Sequence, residues 1–164
     1  MEDVVLACLA DTLVARGVGC LRFNFRGVGG STGSHSDGAG ELDDLCAVID
    51  WLKKANPTRS YWLGGYSFGA NIAWRSLARG VQPERVLLIA PPLGSMDFPA
   101  SPSGTPPAGT VDVFAGDADQ FIDHKLLNAF AESTQINLHV LAGADHFFSG
   151  QWDVLKKTIE DSLA

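Results

Sequence analysis

The sequence predicts an α/β protein, a three-layer αβα sandwich built on a mostly parallel sheet. Helical and extended segments alternate along the chain, and the extended segments are short runs rich in Val, Ile, Leu and Phe. Such continuous apolar runs are typical of parallel strands that helices cover on both faces. The 164 residues, 46% hydrophobic and 19% charged, suffice for one folded domain. We expect that domain to span residues 1–164 without a cap domain.

Periodicity and end signals define the helices. Asp3 can cap a first helix that ends at Gly17. The second helix carries apolar residues at helical spacing from Leu42 to Leu52 and ends at Pro57. Acidic residues in its first turn and lysines in its last suit the helix macrodipole. Further helices are predicted over 68–79, 123–132 and from Trp152 to Leu163.

Five strands are predicted between these helices. They cover residues 18–25, 60–66, 85–90, 110–116 and 136–143. Residues 91–109 form a Pro/Gly/Ser loop, which is too short and too broken for a folded lid. In parallel sheets ligands bind beyond the carboxyl ends of the strands, so functional residues should follow strands directly.

Charge and composition argue against several classes of binding partner and cellular location. The formal net charge of −7 argues against nucleic acid and against an anionic membrane surface. Three cysteines without C-x-x-C spacing indicate neither a disulfide framework nor a zinc site, so no metal or cofactor is expected. The N-terminus lacks the basic region of a signal peptide, and no apolar run reaches membrane-spanning length. We expect a cytoplasmic monomer or homodimer.

A serine stands between glycines where a strand gives way to a helix. Residues 65–69, "GYSFG", fit the G-x-S-x-G pattern of a nucleophile elbow. The turn must be sharp enough to strain the Ser67 backbone, and we expect Gly65 and Gly69 to avoid collisions across it. The helix that begins at Phe68 directs N–H groups and a positive dipole end at the serine oxygen. The alternative is that these glycines only mark a turn.

A serine nucleophile needs a base, and four histidines compete for the role. His139 lies inside a strand, His35 in a glycine-rich loop and His124 near a helix start. His146 follows the last strand, where a base facing Ser67 could lie. A loop histidine bonded only to backbone is the alternative.

The base in turn needs a carboxylate that fixes its tautomer. Asp117 and Asp119 both follow the fourth strand. Asp117 is nearer the turn and can cap it, whereas Asp119 has more reach toward His146 and is preferred. Asp145 is adjacent to His146 in sequence and poorly placed to reach around to its ring.

The order Ser67, Asp119, His146 is that of α/β-hydrolases. From Met1 to its end the chain resembles a small, lidless α/β-hydrolase of the dienelactone-hydrolase-like group. The resemblance is carried by "LRFNFRGVGGSTG", "GGYSFGA", "LIAPP", "VFAGDADQFID" and "AGADHFFSG". It implies that these three residues are nucleophile, orienting acid and base, and that the Phe68 N–H is one oxyanion donor.

The resemblance also implies features without a counterpart in this sequence. In the family a second oxyanion donor follows a strand that precedes the first major helix, and one such strand lies between 18–25 and 60–66. Two explanations are open. Met1 is an internal methionine of a longer hydrolase, or strands 18–25 and 60–66 pair directly in a five-stranded miniature.

The glycine-rich loop 25–34 lacks the spacing of a phosphate-binding motif. We expect it beside the active site, with Arg26 paired to Glu41 or Asp44. The sequence thus predicts a serine hydrolase acting on a small acyl substrate, an ester or else a thioester or amide, with Tyr66 and Phe147 contacting substrate. The alternative is a non-catalytic scaffold of the same fold with an incomplete oxyanion hole.

Overall fold

The computed structural model describes residues 3–101, 109–134 and 136–164. Most of the Pro/Gly/Ser segment after Ser101, residues 102–108, lies outside the described residues. The elements in chain order are α1 (Val4–Ala15), α2 (Ala39–Ala55), β1 (Trp62–Tyr66), α3 (Phe68–Leu77), β2 (Arg85–Ile89), β3 (Thr110–Gly116), α4 (His124–Thr134), β4 (Asn137–Leu141) and α5 (Trp152–Ser162). No helix in the described part of the chain is long and apolar enough to cross a membrane.

The predicted three-layer arrangement is confirmed. The four strands form a parallel sheet in the order β1-β2-β3-β4. Helices α1 and α5 pack together on one side, and α2 packs with α3 on the other. Helix α4 joins the α3 side through Phe130, whose ring meets that of Trp74 edge-on at 5.0 Å. The central strands β2 and β3 form the core, with Val86 to Ile89 and Val113 to Ala115 fully buried.

Strand register brings the functional loops to one edge of the sheet. Tyr66 at the end of β1 is level with Ile89 of β2, and Ile89 is level with Phe114 of β3. Gly116, the last residue of β3, is level with Leu141, the last residue of β4. The segments after β1, β3 and β4 therefore emerge close together, as expected for a parallel sheet.

The prediction of a strand at 18–25 is wrong. These residues form no ladder with β1, and a cleft of about 770 Å³ lies between the two segments. Paired strands lie about 4.8 Å apart, so this separation also contradicts direct pairing in a five-stranded miniature. The end of this segment contacts helices instead of β1. The Phe25 ring packs on the Phe68 ring of α3 at 5.9 Å, and the next residue, Arg26, is hydrogen-bonded to Asp44 of α2.

Ionic contacts hold the loop that connects this segment to α2. The Arg26 guanidinium donates to both carboxylate oxygens of Asp44, and its backbone N–H donates to Oδ2 at 2.9 Å. Of the two predicted partners, the structure therefore selects Asp44. Glu41 is instead fully buried, and its carboxylate accepts from the Ser36 N–H, the Ser36 hydroxyl and the Gly38 N–H at 2.9–3.0 Å. His35 Nδ1 lies 2.8 Å from the same carboxylate.

Glu41 should make stability fall at acid pH. Burial alone would raise its pKa, but the hydrogen bonds from Ser36 and Gly38 outweigh burial and lower the pKa from 4.5 to about 2. A carboxylate whose pKa is lower in the folded state stabilises fully above its unfolded pKa. That stabilisation should be lost as pH falls from about 4.5 toward 2.

We therefore expect Glu41→Gln to lower the free energy of unfolding at pH 7 by about 1–3 kcal/mol, because an amide cannot accept all these hydrogen bonds. The variant should lose less further stability on acidification than wild type. Urea unfolding at pH 7, 4.5 and 3, followed by tryptophan fluorescence, measures both effects. Asp43→Asn, which changes an exposed carboxylate in the same helix, is the control. Equal pH dependence of all three proteins would contradict the assignment.

Candidate active site

Ser67 has the strained backbone that the elbow pattern predicts. Its φ of 50° and ψ of −116° are unusual for a non-glycine residue, and such conformations cost about 1–3 kcal/mol. The Ser67 N–H donates to the Ile89 carbonyl at 2.9 Å, and the residue caps helix α3. Contacts with the sheet on one side and with the helix on the other therefore keep the Ser67 backbone in this strained conformation.

The two glycines of the motif differ in what they do. A Cβ on Gly65 would lie closer than 3.0 Å to the Gly69 carbonyl and the Ala70 nitrogen, which are backbone atoms that cannot move aside. A Cβ on Gly69 would meet nothing within 4 Å. The expectation that both glycines avoid collisions is thus right for Gly65 and wrong for Gly69, because a Cβ on Gly69 would extend into open space.

The structure brings Ser67, His146 and Asp119 into one hydrogen-bonded chain. The Ser67 Oγ lies 2.9 Å from His146 Nε2, and His146 Nδ1 lies 2.7 Å from Asp119 Oδ2. Both the imidazole and the carboxylate are buried. An ionised carboxylate only accepts, so Nδ1 carries the proton and Nε2 is left to accept from the serine hydroxyl. This is the arrangement in which a hydroxyl can lose its proton to an imidazole.

The two competing aspartates hold the histidine loop in place. The Asp117 carboxylate accepts from the backbone N–H of Gly143, in the turn after β4. Asp145 accepts from the N–H groups of Ser149 and Phe147 at 2.9 and 3.0 Å. Hydrogen bonds from Ser149, then from Phe147, lower the pKa of Asp145. Sequence reasoning gave Asp117 a capping role in its own turn, whereas the structure shows it bonded to the turn after β4. It missed the positioning role of Asp145, for which adjacency to His146 was the only signal available.

Tyr66 also contacts the histidine loop. Its hydroxyl donates to the His146 carbonyl at 3.1 Å, and the two rings lie 5.4 Å apart. Burial raises the pKa of Tyr66, so the phenol remains a donor. Phe147 has its ring perpendicular to that of His146, at 5.4 Å, and is exposed. Substrate contact by Tyr66 and Phe147 stays a prediction.

Helix α3 begins directly beside the serine hydroxyl. Phe68 is its first residue, so the Phe68 N–H has no acceptor within the helix. The positive end of the helix dipole also favours negative charge at this point. The site can therefore stabilise a developing oxyanion with at least this one donor.

The other histidines have different surroundings. His139 on β4 lies 3.0 Å from Asp112 and stacks on Phe114. His35 packs against Phe68 at 5.3 Å, which places the glycine-rich loop beside the elbow as expected. In the described ranges no three His, Cys, Asp or Glu side chains are grouped to hold a metal ion.

Comparison with known proteins agrees with the fold. The chain belongs to the α/β-hydrolase family: the sequence profile described as "alpha/beta hydrolase fold" matches residues 4–90. It is also 35% identical, over an alignment of 175 residues, to an uncharacterized protein of Rickettsia prowazekii. That match covers 99% of this chain and 72% of the relative.

Solved structures with a similar fold include α/β serine hydrolases. An alpha-beta serine hydrolase homologue from Coxiella burnetii superimposes with a TM-score of 0.89 at 33% identity, over 100% of this chain and 78% of that one. A Xanthomonas campestris protein, described as an α/β serine hydrolase without a lid, also gives a TM-score of 0.89. It is 36% identical, with coverage of 98% and 72%.

Replacing each of the two glycines by alanine should distinguish their roles. We expect Gly65→Ala to destabilise the protein by about 2–5 kcal/mol, because its Cβ overlaps backbone atoms. Gly69→Ala should be neutral or stabilise by up to about 1 kcal/mol, because alanine favours a helix and meets no obstruction. Thermal unfolding of both variants measures the difference. Similar melting temperatures for the two would contradict the described close approach.

Proposed function

We propose that this protein is a serine hydrolase that cleaves small acyl substrates, esters above all, through an acyl-enzyme on Ser67. The observation that supports the proposal most is the chain from Ser67 Oγ to His146 Nε2 and from His146 Nδ1 to Asp119, at 2.9 and 2.7 Å. The serine at one end of this hydrogen-bonded chain has a strained backbone and lies at the start of α3. Backbone strain of this kind costs about 1–3 kcal/mol and is concentrated at active sites.

Acylation follows from this geometry. His146 Nε2 takes the proton of the Ser67 hydroxyl as Oγ attacks the substrate carbonyl, and the buried Asp119 carboxylate stabilises the imidazolium that forms. The Phe68 N–H donates to the oxyanion of the tetrahedral intermediate. The same imidazolium then protonates the leaving group, and the bond between the acyl carbon and that group breaks.

Deacylation reuses the same groups. A water molecule takes the position of the departed group, gives a proton to His146 Nε2 and attacks the acyl carbon. The bond between the acyl carbon and Ser67 Oγ then breaks, His146 returns the proton to Oγ, and the carboxylic acid product leaves. Removing one oxyanion donor from such a site costs about 10²–10³ in rate, so the number of donors sets the rate rather than the type of reaction.

A fluorophosphonate probe tests the nucleophile directly. We expect the probe to label the wild-type protein at Ser67, because an activated serine attacks phosphorus as it attacks an acyl carbon. Ser67→Ala should not be labelled. Mass spectrometry of tryptic peptides locates the adduct, and far-UV circular dichroism verifies that both proteins are folded. A folded wild type that is not labelled would favour the alternative, a non-catalytic scaffold of the same fold.

Asp119 and Asp117 provide a matched pair for the orienting acid. Asp119→Asn should lower kcat for p-nitrophenyl acetate by about 10³–10⁴-fold, because an amide favours the wrong imidazole tautomer. Asp117→Asn retains an oxygen that accepts from the Gly143 N–H, so its effect should stay below about tenfold. Equal losses in the two variants would contradict the assignment of Asp119.

A further inference from the structure

Two phenylalanines beside His146 are exposed although their side chains are large and apolar. Phe121 is 44% exposed and Phe147 is 53% exposed. Their rings lie 6.4 Å apart at 83°, and each also meets the His146 ring edge-on, at 4.8 and 5.4 Å. We call these two side chains the aromatic shelf. Adjacent exposed apolar side chains at a candidate site mark a surface for binding.

The backbone of the shelf is fixed on both sides of each ring. The Phe121 N–H donates to Asp119 Oδ1 at 2.8 Å, and the Ser95 hydroxyl donates to the Phe121 carbonyl at 2.7 Å. The Phe147 N–H donates to Asp145, and the Trp152 indole N–H donates to the Phe147 carbonyl at 3.2 Å. Because this backbone is already held, it loses little further freedom when a ligand packs on the two rings.

The position of the shelf determines which part of a substrate it meets. In the proposed reaction His146 Nε2 must come within about 2.6–3.2 Å of the leaving oxygen to protonate it. The oxyanion lies on another side, toward the Phe68 N–H at the start of α3. The alcohol portion of an ester is therefore the part that extends over the rings next to His146.

We propose that the aromatic shelf of Phe121 and Phe147 binds the alcohol portion of the substrate, and that the preferred substrates are esters of aromatic or other flat, apolar alcohols. This inference rests on the proposed serine hydrolase function. In the step concerned the Ser67 Oγ–acyl bond forms and the acyl–alcohol C–O bond breaks. The serine proton passes through His146 to the alcohol oxygen, so the alcohol leaves from the shelf.

Three esters separate this role from its alternatives. Benzyl acetate carries an aromatic ring in its alcohol, ethyl phenylacetate carries one in its acyl group, and ethyl acetate carries none. We expect Phe121→Ala and Phe147→Ala to lower kcat/KM for benzyl acetate by about three- to tenfold, the range typical of one aromatic contact. The other two esters should change less than twofold. Phe121→Leu, which keeps an apolar side chain, should recover part of the loss.

The control is Trp51→Ala, which removes an aromatic side chain of α2 that is 59% exposed and should leave all three values unchanged. Equal losses for all three esters would overturn the inference, because the shelf would then only position His146. A loss confined to ethyl phenylacetate would overturn it too, since the shelf would then contact the acyl group.

Fluorophosphonate labelling of Ser67 distinguishes failure of the hydrolase proposal from failure of the proposed role of the aromatic shelf. A labelled protein that fails to cleave benzyl acetate, or whose variants show no selective loss, contradicts the role of the shelf alone. A folded wild-type protein without labelling contradicts the hydrolase function, and the role of the shelf with it.

Discussion

The structure depends on the close approach of two backbone segments where β1 turns into α3. Gly65 lies so near the Gly69 carbonyl that no side chain fits between them. Only this approach lets the chain reverse within one residue, and that residue is Ser67, whose φ is positive. The strain is tolerated because β2 and α3 hold the residue from both sides. A wider turn would withdraw the hydroxyl from the edge of the sheet and from His146.

The other half of the site depends on how the loops after β3 and β4 are joined. The Asp117 N–H donates to the Leu141 carbonyl and the Ala118 N–H to the Ala144 carbonyl, while the Asp117 side chain accepts from Gly143. The loop that carries the acid and the loop that carries the base are therefore joined directly by hydrogen bonds. The 2.7 Å contact between Asp119 and His146 is thus set by backbone pairing as much as by the two side chains.

Sequence alone predicted the features that follow from local rules. The elbow motif, the order of the three site residues and the position of loops after strands led to Ser67, Asp119 and His146, which the structure brings together. The helices were predicted to within a few residues because capping and periodicity are local. Local rules could not predict what Asp145 and Gly69 do. Asp145 depends on which N–H groups the loop presents to it, and Gly69 depends on the open space where a Cβ would lie.

The failure at 18–25 has a different physical cause. Apolar and aromatic residues make a segment such as VGCLRFNF suitable for a strand, but a strand exists only when a neighbour pairs with its backbone. Here β1 lies across a cleft, and the segment is fixed through Phe25 and Arg26 to α3 and α2. The same part of the chain packs against Phe68 through Phe25 and His35. Hydrogen-bonded loops of the sheet therefore position the acid and base, whereas the Arg26–Asp44 ion pair holds the start of the glycine-rich loop on α2.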